Sequence, residues 1–275
     1  MTDPASRTGF IMRLAGPFQS WGGRATFTDR TTRPHPSRSA LIGLFAAAAG
    51  RPHETALDPF TAPPLTGLSY HQLRFTIRVD NPGCYYTDFH TTGAARPRPQ
   101  QLRTAAGEYR SESRSTHVSR RTYLTDAAFT VAVTGPPPLI SHLTHTLEHP
   151  HWAPYLGRRN CVPDEPLLLT GPLTNPEHHL LHHAPLAWPQ PPPPGTATLP
   201  VIFWWDTPPP TRPAEAHQEP HDHPTDFTPH QRTWSVRPQW RTTEPLPTAL
   251  YAGPDPLPAL HTYLHQDTLC PTSSP

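Results

Sequence analysis

Three groups of arginines are the residues of this chain best placed to do chemistry. The first comprises Arg24, Arg30, Arg33 and Arg38, set among Gln19, Trp21, Gly22-Gly23, Ser37 and Ser39. The second runs from Arg96 to Arg121, where Arg96, Arg98, Arg103, Arg110, Arg114, Arg120 and Arg121 are opposed only by Glu108 and Glu112, with Tyr109 and His117 interleaved. The third is the pair Arg158-Arg159 in the turn sequence Gly157-Arg158-Arg159-Asn160-Cys161-Val162-Pro163, which also fits an ordinary surface turn. All 22 basic residues are Arg and none is Lys. Every cationic contact is therefore a planar, multi-donor guanidinium suited to phosphate, and Lys chemistry is excluded, both as Schiff base and as the closing Lys of a Walker loop. The chemistry these residues suggest is the grip of a polyanion.

Charge distribution supports this. Residues 1–121 hold 16 Arg against 8 carboxylates, net +8, whereas residues 122–275 hold 6 against 13, net −7. A basic half beside an acidic half suggests an anionic partner on one face and protein partners on the other; a solvated charge pattern without a partner is the plain alternative.

Catalytic readings are weaker. Histidines gather at His142, His145, His149 and His151, at His178, His179, His182 and His183, and at His217, His221 and His223, but no His-Glu-x-x-His motif or neighbouring ligand cysteine joins them, so no functional metal and no cofactor is expected. No Gly-x-Ser-x-Gly elbow exists for a serine hydrolase. A metal-independent ribonuclease needs only a base, an acid and a cation around the reacting phosphate, and Tyr85, Tyr86, His90 and His117 lie in or beside the basic stretch. A DNA-binding regulator would need a helix-turn-helix pattern, which is missing. Cys84, Cys161 and Cys270 are odd in number and far apart, which fits a reducing cytoplasm. No apolar run approaches membrane-spanning length, so a soluble, cytoplasmic protein without a membrane partner is expected.

The elements that must position these arginines follow from periodicity. Residues 8–15 alternate as a strand, with Phe10, Met12 and Leu14 on one face and Ile11 and Arg13 on the other. Gly16-Pro17 stops it, and Gly22-Gly23 permits a loop whose amides turn toward an anion. Trp21 there either stacks on a base or anchors the core. Ser37 or Ser39 caps a helix with Leu41, Leu44, Phe45 and Ala48 on one stripe and Gly50 as its stop, which sets the helix start beside Arg33 and Arg38 as a phosphate seat. A second strand spans Ser69 to Val79, where apolar residues alternate with Arg74, Thr76 and Arg78, predicting one buried face and one wet or basic face. A third runs from Tyr123 through Val133. Between them lie about forty residues, too many for an ordinary connection, predicting an arm or β-hairpin that tracks a nucleic-acid backbone, with a disordered basic loop as the plain alternative. Leu139, Leu143 and Leu147 mark a second helix, and Leu167 to Leu169 a closing strand, completing a βαββαβ order.

The expected fold class is thus α+β: a ferredoxin-like, RNA-recognition-like domain over residues 1–171 with a basic insertion at about 82–121, then a proline-rich region over 172–275 with short strands. The aromatic signatures of a standard RNA-recognition motif are absent, so base stacking on the sheet itself is not expected. In the proline-rich region Val201–Trp205 and Trp234–Trp240 are expected to pair, flanking a mobile acidic loop at 206–230.

Three ordered segments carry a family resemblance. Arg13-Leu14-Ala15-Gly16-Pro17-Phe18-Gln19-Ser20-Trp21-Gly22, continuing to Pro36 through Leu44, then Arg121 to Ala132, then Tyr155 to Cys161, resemble the type I-E branch of the Cas5 family of CRISPR Cascade complexes. The likeness covers residues 10–170 and is loose beyond about 172. It implies a noncatalytic subunit with a protruding thumb that caps the 5′ handle of the CRISPR RNA and contacts the backbone subunit CasC and the large subunit CasA. The family's handle-holding loop would map onto Gln19 to Ser39, the thumb onto about Tyr85 to Arg121, and Gly157 to Arg159 would be a structural or RNA-facing turn. Type I-C relatives cleave the precursor RNA, which keeps an endoribonuclease as the alternative.

Overall fold

The computed structural model describes residues 7–23, 25–26, 28–93, 97, 100, 103, 107–109, 116–209, 216–229 and 231–266. The fold is mixed α+β, with antiparallel pairing dominant. Strand β1 (Thr8–Ala15) pairs from Gly9 to Ala15 with β7 (Ala128–Thr134), which pairs on its other side with β4 (Arg74–Asn81). The two-residue strand β8 (Leu173–Thr174) flanks β1. Beyond β4 the sheet continues through β9 (Thr198–Trp205) to β12 (Trp240–Pro247), giving the order β12-β9-β4-β7-β1-β8.

The expected alternation of β1 holds. Phe10, Met12 and Leu14 pack under α1 (Arg38–Ala48) and α2 (Pro137–Glu148), with Phe45, Phe75, Val131, Val133, Leu139 and Leu143 in the same cluster. Ser37 is the α1 cap, its Oγ accepting from the Ala40 amide at 3.3 Å, and Gly50 ends the helix at φ 69°. In α2, Pro137 stands in the first turn, where its missing N–H costs nothing, and the 3.6-residue spacing of Leu139, Leu143 and Leu147 turns one stripe inward.

The sheet's second face corrects an expectation. It is covered rather than wet, with only Arg74 of its expected polar residues left exposed: α3 (Pro176–His182) and α4 (Leu257–Gln266) pack on it, burying Ile11, Phe203, Leu180, Leu186 and Leu260. Arg78 is fully buried there. Its guanidinium donates to Asp80 at 2.6 Å and to the carbonyls of Leu180, Ala184 and Pro185 at 2.8, 2.9 and 2.6 Å, so charge and donors are matched without water.

Other elements also differ from expectation. The strand expected from Tyr123 to Val133 is two strands, because Asp126 turns at φ 54°. The first, β6 (His117–Thr125), belongs to a second sheet with β5 (Cys84–Thr92), β2 (Phe18–Gln19) and β3 (Asp29–Arg30). Leu167–Leu169 lies along β1 through a single bridge, Met12 to Leu168, and the named strand there is β8. Val201–Trp205 and Trp234–Trp240 meet at one position only, Trp240 opposite Trp205. Strand β9 takes β12, beginning at Trp240, whereas β11 (Thr233–Val236) pairs with β10 (His221–Asp226) inside the acidic stretch expected to be a mobile loop.

Candidate nucleic-acid interface

Strands β5 and β6 form a hairpin in register Tyr86↔Tyr123, Asp88↔Arg121 and His90↔Ser119. Side chains alternate between faces with period two, so these six share one face while Tyr85, Thr87 and Phe89 with Leu124, Thr122 and Arg120 share the other. The edge strand β3 runs parallel to β6 and sets Arg30 opposite Arg121. Facing them is the turn from Tyr155 to Asn160. Together Arg30, Arg121, Tyr123, Arg158, Arg159 and Asn160 line an open cleft of about 610 Å³, with Asp88 and His90 on its wall.

The turn is held from within and from below. The Leu156 amide donates to the Cys161 carbonyl at 2.7 Å and the Cys161 amide to the Arg158 carbonyl at 2.8 Å. Gly157 sits at φ 89°, and a side chain there would collide with the Ser20 carbonyl, so the turn lies directly on the loop that follows β2. The Ser20 amide donating to the Leu156 carbonyl at 3.0 Å fixes the same junction. Burial pushes the Cys161 thiol above its ordinary range, against weaker opposing effects of its Arg158 contacts.

Arg158 is the hinge of the cleft. Its guanidinium lies 4.6 Å from the Tyr123 ring centroid and donates through Nη2 to the Arg30 carbonyl at 3.0 Å, which leaves Nη1 without a partner among the described residues. Tyr123 is in turn oriented by Asn160, whose amide reaches its hydroxyl at 3.3 Å. Among the described residues Arg121 makes one hydrogen bond, a long one from Nε to Ser119 Oγ at 3.4 Å. Among the described residues no carboxylate pairs with Arg30, Arg121, Arg158 or Arg159 within 4.0 Å; the one acid in the cleft, Asp88, lies 3.8 Å from His90. Four cations around a cleft with one acid make a concave, positively charged surface with unspent donors, the arrangement that holds an anionic backbone.

The sequence-predicted residues divide sharply. Arg121, Arg158 and Arg159 come together here. Arg120 points from the opposite face of the hairpin, 67% exposed and 3.9 Å from Asp29. Arg103 and Tyr109 pair with each other, Nη2 to hydroxyl at 2.9 Å with the guanidinium 4.7 Å from the ring centroid. Arg33 and Ser39 are half-buried near the start of α1. Arg24, Arg96, Arg98, Arg110 and Arg114 lie outside the described residues.

Four others are structural, and the phosphate seat expected at α1 is already filled by the protein. Gln19 is fully buried, its amide donating to the Leu14 and Ala127 carbonyls at 3.2 and 2.6 Å and its carbonyl accepting from Trp21 Nε1 at 3.0 Å. Trp21 is therefore a core anchor against Phe129 and offers no face to a base. Ser37 is the buried cap. Arg38 is 3% exposed: Nη1 donates to Asp206 at 2.7 Å and Nη2 to the His71 and Leu73 carbonyls, both at 3.0 Å, while its backbone amide donates to Asp222 at 2.9 Å. Arg237 closes the clasp, reaching Asp222 through Nε at 2.7 Å and Asp206 through Nη1 at 2.7 Å. Burial lowers the Arg38 pKa more than Asp206 raises it, whereas for Arg237 the two carboxylates outweigh burial and raise it. An aspartate carboxylate thus occupies the α1 N-terminus, where positive potential and free amides favour an anion.

Sequence reasoning misses Tyr123, Tyr155 and Asn160, and gives Arg30 no role beyond membership of its basic group. Only the parallel pairing of β3 with β6 and the long-range contact of the 155–160 turn with β6 bring these residues in. The proposed ribonuclease groups assemble only in part: the register sends Tyr85 to the face opposite His90, while His117 stands two pairs along on the His90 face.

A family model described as CRISPR-associated protein (Cas5) matches residues 9–242. The Cascade subunit CasD of the Escherichia coli K12 CRISPR system is 33% identical over 193 residues, covering 66% of this chain and 79% of that protein. A chain in a solved structure titled as a CRISPR RNA-guided surveillance complex superposes with a TM-score of 0.81 at 40% identity, over 94% of this chain and all of that one. A crystal structure titled as a Cas protein gives 0.56 at 25% identity, over 89% and 97%. With a family match spanning most of its length and a shared fold, the chain belongs to the Cas5 family of CRISPR-associated proteins.

Proposed function

We propose that this chain is the CasD-type subunit of a type I-E CRISPR surveillance complex, a noncatalytic RNA-binding protein that caps the 5′ handle of the CRISPR RNA in antiviral defence. The observation that carries the proposal is the convergence of Arg30, Arg121, Arg158 and Arg159 on one cleft, with no acid paired to any of them among the described residues. Phosphates of a single strand would lie along these guanidiniums, with Tyr123 and Tyr155 at their margin. The strand order β4-β7-β1-β8 with α1 and α2 on one face supports a ferredoxin-like core, and the β5–β6 hairpin is read as the base of the thumb. Docking to a backbone subunit of the CasC type and a large subunit of the CasA type, and a cytoplasmic location, belong to the same proposal. No described helix is long and apolar enough to cross a membrane.

The test is binding of a repeat-derived 5′-handle RNA by the purified chain, followed by incubation of that RNA without divalent metal. Handle-specific binding with intact RNA is the expected result. Discrete cleavage lost on changing His90 or His117 would replace capping with processing.

A further inference from the structure

The last turn of α2 and its C-cap residue carry three exposed side chains, His145, Glu148 and His149, whose candidate ligand atoms all lie within 4.8 Å of one another. Spacings of three and four residues put them on one helix face, and the imidazole centroids of His145 and His149 are 5.2 Å apart. The turn is closed by the His149 amide donating to the His145 carbonyl at 3.0 Å, which fixes the two backbones that a shared ligand would bridge. It is also the carbonyl end of α2, where the helix dipole favours a cation.

The chain has other histidine pairs four residues apart: His178 and His182 at 4.5 Å, His179 and His183 at 4.9 Å, and His261 and His265 at 4.3 Å between centroids. Among the described residues, only the α2 turn adds a carboxylate to its pair to make a three-donor set. We propose that His145, Glu148 and His149 form a binding site for a borderline divalent transition ion of the zinc class. Two imidazole nitrogens and one carboxylate oxygen suit zinc, nickel or copper, whereas magnesium and calcium favour all-oxygen sets. Three donors from one helix face leave the remaining coordination positions to water, and the ion cross-links the final turn of α2. The site shares no residue with the arginine cleft and stands independently of it.

The experiment uses the full chain freed of any polyhistidine tag and stripped of metal, titrated calorimetrically with zinc chloride and, separately, magnesium chloride. One tight zinc equivalent and no magnesium binding are expected, with a higher melting temperature on zinc addition. H145A and H149A should each weaken that equivalent by about tenfold or more and abolish the melting shift, with E148Q weakening it also. The H178A/H182A variant should leave both readouts unchanged. All three side chains are exposed, and metal-free melting of each variant checks that the fold is kept. Absence of a stoichiometric zinc equivalent, its persistence in H145A and H149A, or its loss in H178A/H182A would overturn the assignment.

Discussion

Replacing Asp222 with alanine probes the clasp that fills the expected phosphate seat. Asp222 is 2% exposed and accepts from Arg237 Nε at 2.7 Å, Arg237 Nη2 at 3.2 Å and the Arg38 amide at 2.9 Å. Its loss leaves Arg237, 10% exposed in its side chain, with Asp206 alone, and leaves a first-turn amide of α1 without its acceptor. Removing one partner of a buried ion pair costs about 3–5 kcal/mol, because the remaining charge stays desolvated, and a lost helix-cap interaction costs about 1 kcal/mol. The two overlap in the same guanidinium and amide cluster, so the expected loss for Asp222→Ala is about 4 kcal/mol, a large fraction of a typical domain stability. Urea denaturation followed by circular dichroism measures it, with the midpoint falling and the slope unchanged. Asp222→Asn, which keeps a neutral acceptor, should lose about half as much. A loss below about 1 kcal/mol for Asp222→Ala would refute the clasp as a fastening of β10–β11 onto α1.

Further predictions follow from the same contacts. Arg38→Ala should destabilise the chain by about 3–5 kcal/mol while leaving the salt dependence of RNA binding unchanged, the opposite of what a phosphate contact would do; denaturation and binding titrations separate the two. His35 is 1% exposed, stacks on Trp204 at 4.4 Å, and has its pKa pushed down to about 4 by burial, against a smaller raising effect from its hydrogen bond to the Pro36 carbonyl. The unfolded chain takes the proton first, so stability should fall as pH drops below about 6.5 and level off below about 4, a loss of about 3 kcal/mol that His35→Phe should remove from the pH profile. Gly157→Ala, which drives a methyl into the Ser20 carbonyl at a positive φ, should cost at least about 2 kcal/mol and weaken RNA binding by displacing Arg158 and Arg159, as read by melting and filter binding.

The sequence is legible where structure is local. Phe10, Met12 and Leu14 in β1, the Leu41 to Ala48 stripe in α1 and the Leu139, Leu143 and Leu147 stripe in α2 each announce an element through its own period. The break between β6 and β7 is not, because Asp126 takes its left-handed turn with no glycine or proline to mark it. Arg38 and Arg78 mislead for a different reason. An arginine beside a loop looks the same whether it faces solvent or a buried acid, and the aspartate partners of Arg38 stand 168 and 184 residues away. Within the site, the Arg158-Arg159 turn and Arg121 are visible as basic clusters. Arg30 is no more conspicuous in sequence than its neighbours, and only strand pairing with β6 gives it a place.

The most direct test of the central claim is the salt dependence of 5′-handle RNA binding for the wild type and for a variant with Arg121, Arg158 and Arg159 changed to alanine. If these guanidiniums hold phosphates, the slope of log K against log salt should become shallower by about 2, near 0.7 for each single-strand phosphate that no longer has its guanidinium, with affinity reduced at every salt concentration. An unchanged slope and affinity in a variant that melts like the wild type would contradict the cleft as the RNA seat.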